Sequence, residues 1–369
     1  MARVNRRAGA ALLGGALLGA LSCEPAAPGY GEPPQLDHSR WAPISLTAGI
    51  VTEAEFLGLP RDIEVVGPHL VILDAATDSV VTVVRREDGR LVRAFGRRGE
   101  GPGEYSGAWS VDPEPGNDLA FWIYDLALLR LTRVDLERAM RGEPPASRMI
   151  RLESNARVVE PVWVDSMVIG VGLFASGRLG QFDANGKFLR MVGALPPGDA
   201  DTPPEALQHA YQSTLRSNAS RTRLALATRH ADRIEIYAPD GTLVAAPPPL
   251  FGFLPRYEVR EQDGEPSIAT GEDLRFGYID LATTDDRIYA LFSGRTRRGF
   301  PGVANFAEYI HVFDWQGRLI SVYHLDSDVL AIAIDPSGRT LYAIRHDPRP
   351  GIVKYSLPAA DTPAPDGSL

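Results

Sequence analysis

Glu87-Asp88-Gly89-Arg90-Leu91 joins one valine-rich run (Val80–Arg85, VVTVVR) to another apolar run (Leu91–Phe95, LVRAF). An acidic turn residue followed by glycine is the chemistry of a tight hairpin. Glycine supplies positive φ without steric cost, and Asp or Asn before it tolerates the same region. The form recurs at Ala184-Asn185-Gly186-Lys187-Phe188, Pro239-Asp240-Gly241-Thr242-Leu243 and Trp315-Gln316-Gly317-Arg318-Leu319. Each copy reads as the join between the two outer strands of a small antiparallel sheet. Ser337-Gly338 is a related hairpin between inner strands.

Working outward from these turns, the chain after residue 42 is a succession of short β-branched and aromatic runs with little helical periodicity. Examples are Leu70–Asp74 (LVILD), Leu119–Tyr124 (LAFWIY), Arg287–Phe292, Val329–Ile334 and Ile352–Leu357. Two short helices are expected, one opened by Pro204-Glu205 and running to Leu215, the other over Leu136–Arg141. Four-stranded units recurring every 40–55 residues are the pattern of an all-β propeller. The division gives six blades: 60–96, 107–152, 157–193, 213–247, 276–324 and 326–357. The sixth shows only three strands, and the segment Pro43–Ala48 (PISLTA) is expected to supply the fourth and close the ring. Closure removes exposed strand edges. A pair of stacked sheets would not account for the recurring glycine hairpin.

The N-terminus reads as a targeting segment. Arg3, Arg6 and Arg7 precede an uncharged run of small and aliphatic residues from Ala8 to Leu21, too short to span a bilayer. Residues 1–22 are therefore read as a signal peptide. Leu18-Gly19-Ala20-Leu21-Ser22-Cys23 resembles a bacterial lipobox, although Ala20-Leu21-Ser22 also fits ordinary secretory cleavage. Cys23 is the sole cysteine of the chain and stands directly after the cleavage position, which favours lipid attachment there and rules out an internal disulfide. Residues 23–40 form a Pro- and Gly-rich tether, residues 41–358 the propeller, and residues 359–369 a disordered tail. The expected address is the cell envelope, with the membrane as a partner through the lipid anchor. Glu24 after the cysteine resembles outer-membrane sorting, which would face the protein to the periplasm. The net charge of −9 deepens once the three N-terminal arginines are removed, so nucleic acid is not an expected partner.

Phe95-Gly96-Arg97-Arg98-Gly99-Glu100-Gly101-Pro102-Gly103-Glu104-Tyr105 invites a phosphate-loop reading, which fails. No Gly-Lys-Ser/Thr closes the glycines, and Pro113 and Pro115 stand where a helix would follow. This loop, with Val111-Asp112 and Trp122-Ile123-Tyr124-Asp125 after it, resembles the NHL-type repeat and the TolB-like six-bladed propeller lipoproteins of bacteria. Ala333-Ile334-Asp335-Pro336-Ser337-Gly338 carries the weaker blade pattern. The resemblance implies a loop crossing from the rim of one blade to the axis of the next. Its glycines permit the sharp path, and Glu104 accepts backbone N–H groups. Arg97, Arg98, Glu100 and Glu104 are also candidate ligand contacts on the face of the disc.

Other candidates are weaker. Phe251, Phe253 and Tyr257, in the long segment 248–275, suit a partner surface or a cover over the channel mouth. Asp74, Asp125, Asp165 and Asp280 stand at or near strand ends. Gluconolactonase-like six-bladed enzymes hold a divalent cation with carboxylates, so these four are the metal candidates, with Ca or Mg as cofactor. Aspartates at strand ends also bond turn backbone. His311 and His324 alternate with apolar residues, as at surface or half-buried strand positions, and no Gly-x-Ser-x-Gly elbow is present. Trp109, Trp122, Trp163 and Trp315 fit blade packing. With no catalytic constellation in the sequence, the expected function is a binding or scaffold protein with a protein, peptide or glycan partner. The alternative is a divalent-metal lactonase or lyase.

Overall fold

The computed structural model describes residues 36–53, 56–153, 157–347 and 349–358. Residues 1–35, which include Cys23, and the tail from 359 onward lie outside them, so the readings made there are expectations. Strands dominate. No helix among the described residues is long and apolar enough to cross a membrane.

Four blades are separate four-stranded antiparallel sheets. Blade one is Pro60–Val66, His69–Asp74, Val81–Arg85 and Leu91–Phe95. Blade two is Ala108–Pro113, Ala120–Asp125, Arg130–Asp135 and Ala146–Arg151. Blade three is Val158–Val164, Met167–Gly172, Leu179–Asp183 and Phe188–Val192. Blade four is Ser213–Ser217, Leu224–Thr228, Ile234–Tyr237 and Leu243–Ala245. Blades five and six share one long strand, Leu319–Ile334. Its first half pairs with Ala307–Phe313 as the outer strand of blade five, behind Tyr278–Thr283 and Ile288–Phe292. Its second half is the inner strand of blade six and pairs with Thr340–Arg345. Gly351–Ser356 follows, and Gly49–Glu53 completes the blade. The six inner strands touch in cyclic order around one axis.

The core lies between blades. Val71, Leu73 and Val83 of blade one meet Phe121, Ile123 and Val134 of blade two. Ile72 and Val84, on the opposite face of blade one, meet Ala333, Tyr342 and Ile344 of blade six. A comparable cluster fills each of the other four junctions. Each blade is thus covered on both faces, which is why strands such as His69–Asp74 and Ala120–Asp125 are buried throughout and read as continuous apolar runs.

The recurrent glycine hairpins stand where expected, between the third and fourth strands of blades one, three, four and five. Gly89, Gly186, Gly241 and Gly317 all have positive φ, from 68° to 92°. Blade two replaces the hairpin with the helix Leu136–Met140, capped by Asp135, whose carboxylate accepts the Arg138 N–H at 3.1 Å.

Three expectations about boundaries change. Ile44–Leu46, within the segment expected to close the ring, pairs in parallel with Tyr323–Leu325 at the outer edge of blade five. Leu46 is buried, and Ile44 and Ala48 pack beside it at the junction of blades five and six. The next strand, Gly49–Glu53, performs the closure. Both segments carry strand-like side chains, and only the outer edges of the two blades decide which pairs where. The helix from Pro204 ends at Ala210, because Ser213–Ser217 is claimed as the inner strand of blade four. The folded body also begins earlier than residue 41. His38 is buried and stacks on Tyr309 at 3.7 Å, and Trp41 packs edge-on to Phe251. Leu36 and His38, from the end of the expected tether, pack onto the disc beside Trp41, the first residue of the expected propeller.

Candidate binding channel

Alternation along the inner strands aims every second side chain at the axis. Asp62 and Glu64 of blade one, Glu160 of blade three and Asp280 of blade five converge there on Arg216 of blade four. The Arg216 guanidinium lies 2.6 Å from Glu160, 3.3 Å from Glu64, 3.4 Å from Asp62 and 3.6 Å from Asp280. Three of these carboxylates have further donors. Asp62 accepts the N–H of Val111 at 2.8 Å and Asp280 that of Ile332 at 2.8 Å, each from the inner strand of the next blade. Glu160 accepts the Trp109 indole N–H at 2.8 Å. Asp112 makes the equivalent stitch from blade two to the Trp163 N–H of blade three, at 2.9 Å.

One guanidinium cannot neutralise three buried carboxylates and the half-buried Glu64. Burial pushes Asp62, Glu64, Glu160 and Asp280 upward, opposed chiefly by Arg216, and Asp280 reaches about 7. Burial opposes charge on Arg216 too. Glu160, Asp62, Asp280 and Glu64 outweigh it and hold Arg216 protonated, well above the usual arginine range.

Arg216 divides the axial space. At the C-terminal ends of the inner strands lies a cavity of about 620 Å³, with Glu64, Asp112, Ser217, Asn218, Asp286 and Ser337 among its lining. Arg221 braces its wall, 2.7 Å from Asp112 and donating to the carbonyls of Pro113 at 2.6 Å and Trp163 at 3.1 Å. At the N-terminal ends lies a second cavity of about 270 Å³, lined by Arg61, Trp109, Gln212, Arg229 and Asn305 among others. Arg216 lines both.

The glycine loop runs from the outer strand of blade one to the inner strand of blade two. Glu104 accepts the Gly101 N–H at 3.1 Å, and a Cβ on Gly99, whose φ is +148°, would lie 2.2 Å from its carboxylate. Arg130 donates to the carbonyls of Glu100 and Glu104 from blade two. Arg97 is exposed, 3.9 Å from Glu104. Arg98 donates to the Ala75 carbonyl and lines a cavity of about 230 Å³ beside the smaller channel mouth.

The four aspartates proposed for a metal do not meet. Asp74 accepts the N–H groups of Gly58, Leu59 and Ala76. Asp125 takes the same role one blade on, with Ser106, Gly107, Ala127 and Leu128. Asp165 sits in a turn of blade three with φ +52°, and Asp280 alone reaches the axis. Among the described residues, no group of three His, Cys, Asp or Glu side chains is arranged to hold a metal ion.

Phe251 stacks on Phe292 at 5.4 Å, and Phe253 lies 6.2 Å from the same ring, so both belong to the cluster over blades four and five. Asp232 holds Phe251 by its backbone N–H. Tyr257 packs against Leu207, Ala210 and Tyr211. His311, expected at a surface or half-buried position, is fully buried, with Nδ1 3.1 Å from the Tyr278 hydroxyl. The N-terminal segment covers it, with His38 5.3 Å away.

Sequence reading found Asp280 and missed Asp62, Glu64, Glu160 and Arg216. Its one available signal was an acidic residue interrupting the apolar pattern of an inner strand, as in Asp62-Ile63-Glu64-Val65-Val66.

Six short antiparallel sheets set radially around a closed axial channel define the class, a six-bladed β-propeller. The chain belongs to the TolB-like 6-blade propeller-like family, which matches residues 44–337. Among solved structures, a member of the DUF4221 family from Bacteroides vulgatus superposes with a TM-score of 0.54 at 9% identity, covering 84% of this chain and 95% of that one. The β-propeller domain of Cps50 (Swd1) from Myceliophteria thermophila (TM-score 0.47, 11% identity, 84% and 100% covered) is also similar. So is U3-55K (TM-score 0.49, 9% identity, 84% and 98% covered). These likenesses concern the fold. No curated protein is a significant sequence match.

Proposed function

We propose that the protein is an exported, lipid-anchored binding propeller of the bacterial cell envelope, which takes a protein, peptide or glycan partner at the larger mouth of its channel. The carrying observation is the cavity of about 620 Å³ at one end of the axis, floored by Arg216 and rimmed by Asp286 and Ser337. Concave polar sites on loops held by a rigid scaffold are where propellers recognise ligands. The carboxylates beneath it are engaged by Arg216, and three of them also by backbone or indole N–H groups, which favours binding over a divalent-metal hydrolase. The anchor and the envelope address are supported by the sequence from Arg3 to Cys23.

The test is cross-linking in cells followed by capture of the tagged full chain from detergent-solubilised envelopes. A partner recovered with the wild type and lost with Asp286→Arg or Ser337→Trp is expected. Equal recovery with both variants overturns the proposed mouth, and no recovered partner overturns the binding reading. Cys23→Ala is expected to move the protein from the membrane to the soluble fraction.

A further inference from the structure

The smaller mouth, at the opposite ends of the inner strands, differs in charge from the rest of this acidic chain. Arg61 and Arg229 both line its cavity of about 270 Å³. Among the described residues, neither guanidinium has a hydrogen bond or ion pair, whereas Arg216 in the same channel is held by four carboxylates. Arg61 is placed by its ring contact, with its guanidinium carbon 4.3 Å from the Trp109 centroid. The Trp109 ring is fixed in turn by its bond to Glu160. Arg229 is placed by its backbone, whose N–H donates to the Gln212 carbonyl at 2.8 Å and whose carbonyl accepts the Gly277 N–H at 2.6 Å. Main chain from blades four and five therefore sets where its side chain starts.

The acidic groups that face this mouth are Asp62, Glu160 and Asp280. All three are bound to Arg216 and to N–H donors, so they offset the two arginines only through space. Burial disfavours charge on Arg229, and the charge of Arg61 adds to this. Two cations that line one concave site, neither paired among the described residues, favour an anion there. The planar fork of guanidinium matches a carboxylate or phosphate better than a spherical ion. Gln212 and Asn305 also line the cavity and offer neutral amide donors. The volume corresponds to roughly nine waters at about 30 Å³ each. That accommodates a small molecule or the acidic end of a larger one. Arg98 and Arg157 line the adjoining cavity, which shares Arg61 and Trp109 and extends the basic surface outward.

We propose that the smaller mouth is a binding site for the oxyanion group, carboxylate or phosphate, of a small ligand, clamped between Arg61 and Arg229. The site goes beyond the partner surface assigned to the larger mouth and does not depend on it. Its test is calorimetric titration of the purified full chain in detergent with succinate, with inorganic phosphate, and with the neutral amide succinamide. Saturable binding of succinate or phosphate, weakened by added salt and absent for succinamide, is expected. Whichever anion binds more tightly identifies the source. Arg229→Gln and Arg61→Gln are each expected to weaken it about 10-fold or more, as loss of a charge-assisted bond implies, and Arg229→Lys to weaken it less. Arg61 is exposed, so its variant tests the site even if Arg229→Gln fails to fold. No titratable binding of either anion, or binding unchanged in a folded Arg61→Gln protein, overturns the proposal. Neither result bears on capture of a partner at the larger mouth.

Discussion

Asp74 and Asp62 lie on neighbouring strands of blade one and do different work. Asp74 ends its strand and collects the N–H groups of Gly58, Leu59 and Ala76, all within sixteen residues of it in sequence. Asp125 repeats the arrangement in blade two. Asp62 faces the axis and bonds Val111 of the next blade and Arg216 of blade four, 49 and 154 residues away. The first kind of aspartate organises the entry to its own blade. The second ties its blade to distant ones and shares one arginine with three other carboxylates. Local capping and long-range stitching use the same side chain, and only the second creates an electrostatic site.

The largest effect should come from Arg216→Met, which removes the cation shared by three buried carboxylates and the half-buried Glu64. Breaking a buried charge network by removing one partner costs about 3–5 kcal/mol. Denaturant unfolding at neutral pH should show that loss, and the loss should shrink as the carboxylates are protonated at lower pH. An unchanged midpoint would mean that Arg216 does not unite the cluster. Next comes Asp125→Ala, which deprives four partly buried N–H groups of their acceptor. The expected cost is about 2 kcal/mol, read from the denaturant midpoint. An unchanged midpoint would mean that this carboxylate does not organise the entry to its blade.

Smallest per pH unit, though not in sum, is a slope. Asp280 titrates near 7 in the folded chain against 3.8 when unfolded, because burial disfavours its charge. Between those values the folded state binds more protons than the unfolded one, so stability falls as pH rises. The slope cannot exceed about 1.4 kcal/mol per pH unit for one group. Asp62, Glu64 and Glu160 shift in the same direction and add to it. Asp280→Asn should flatten the stability profile between pH 4 and 7.

Legibility in the sequence follows the range of the interactions. The hairpins at Gly89, Gly186, Gly241 and Gly317 were readable because a tight turn is set by its own residues. Blade boundaries followed from their spacing. The glycine loop's bond from Gly101 to Glu104 spans three residues and was expected. Arg216 was not readable, since nothing near Leu215-Arg216-Ser217 announces that four acids from three other blades will surround it. Arg229 and Arg61 were missed for the same reason. The closing strand shows an intermediate case. The sequence showed that an N-terminal strand must complete blade six, but the choice of Gly49–Glu53 over Ile44–Leu46 depended on which edge each could reach.

The amino-acid sequence by itself determined six four-stranded units and their turns, because glycine conformation, strand alternation and buried apolar runs act over a few residues. Tertiary structure alone decided which acids meet at the axis, which arginine they share and which two arginines line the smaller mouth. Those are distances between blades, set when the ring closes and absent from any single stretch of chain.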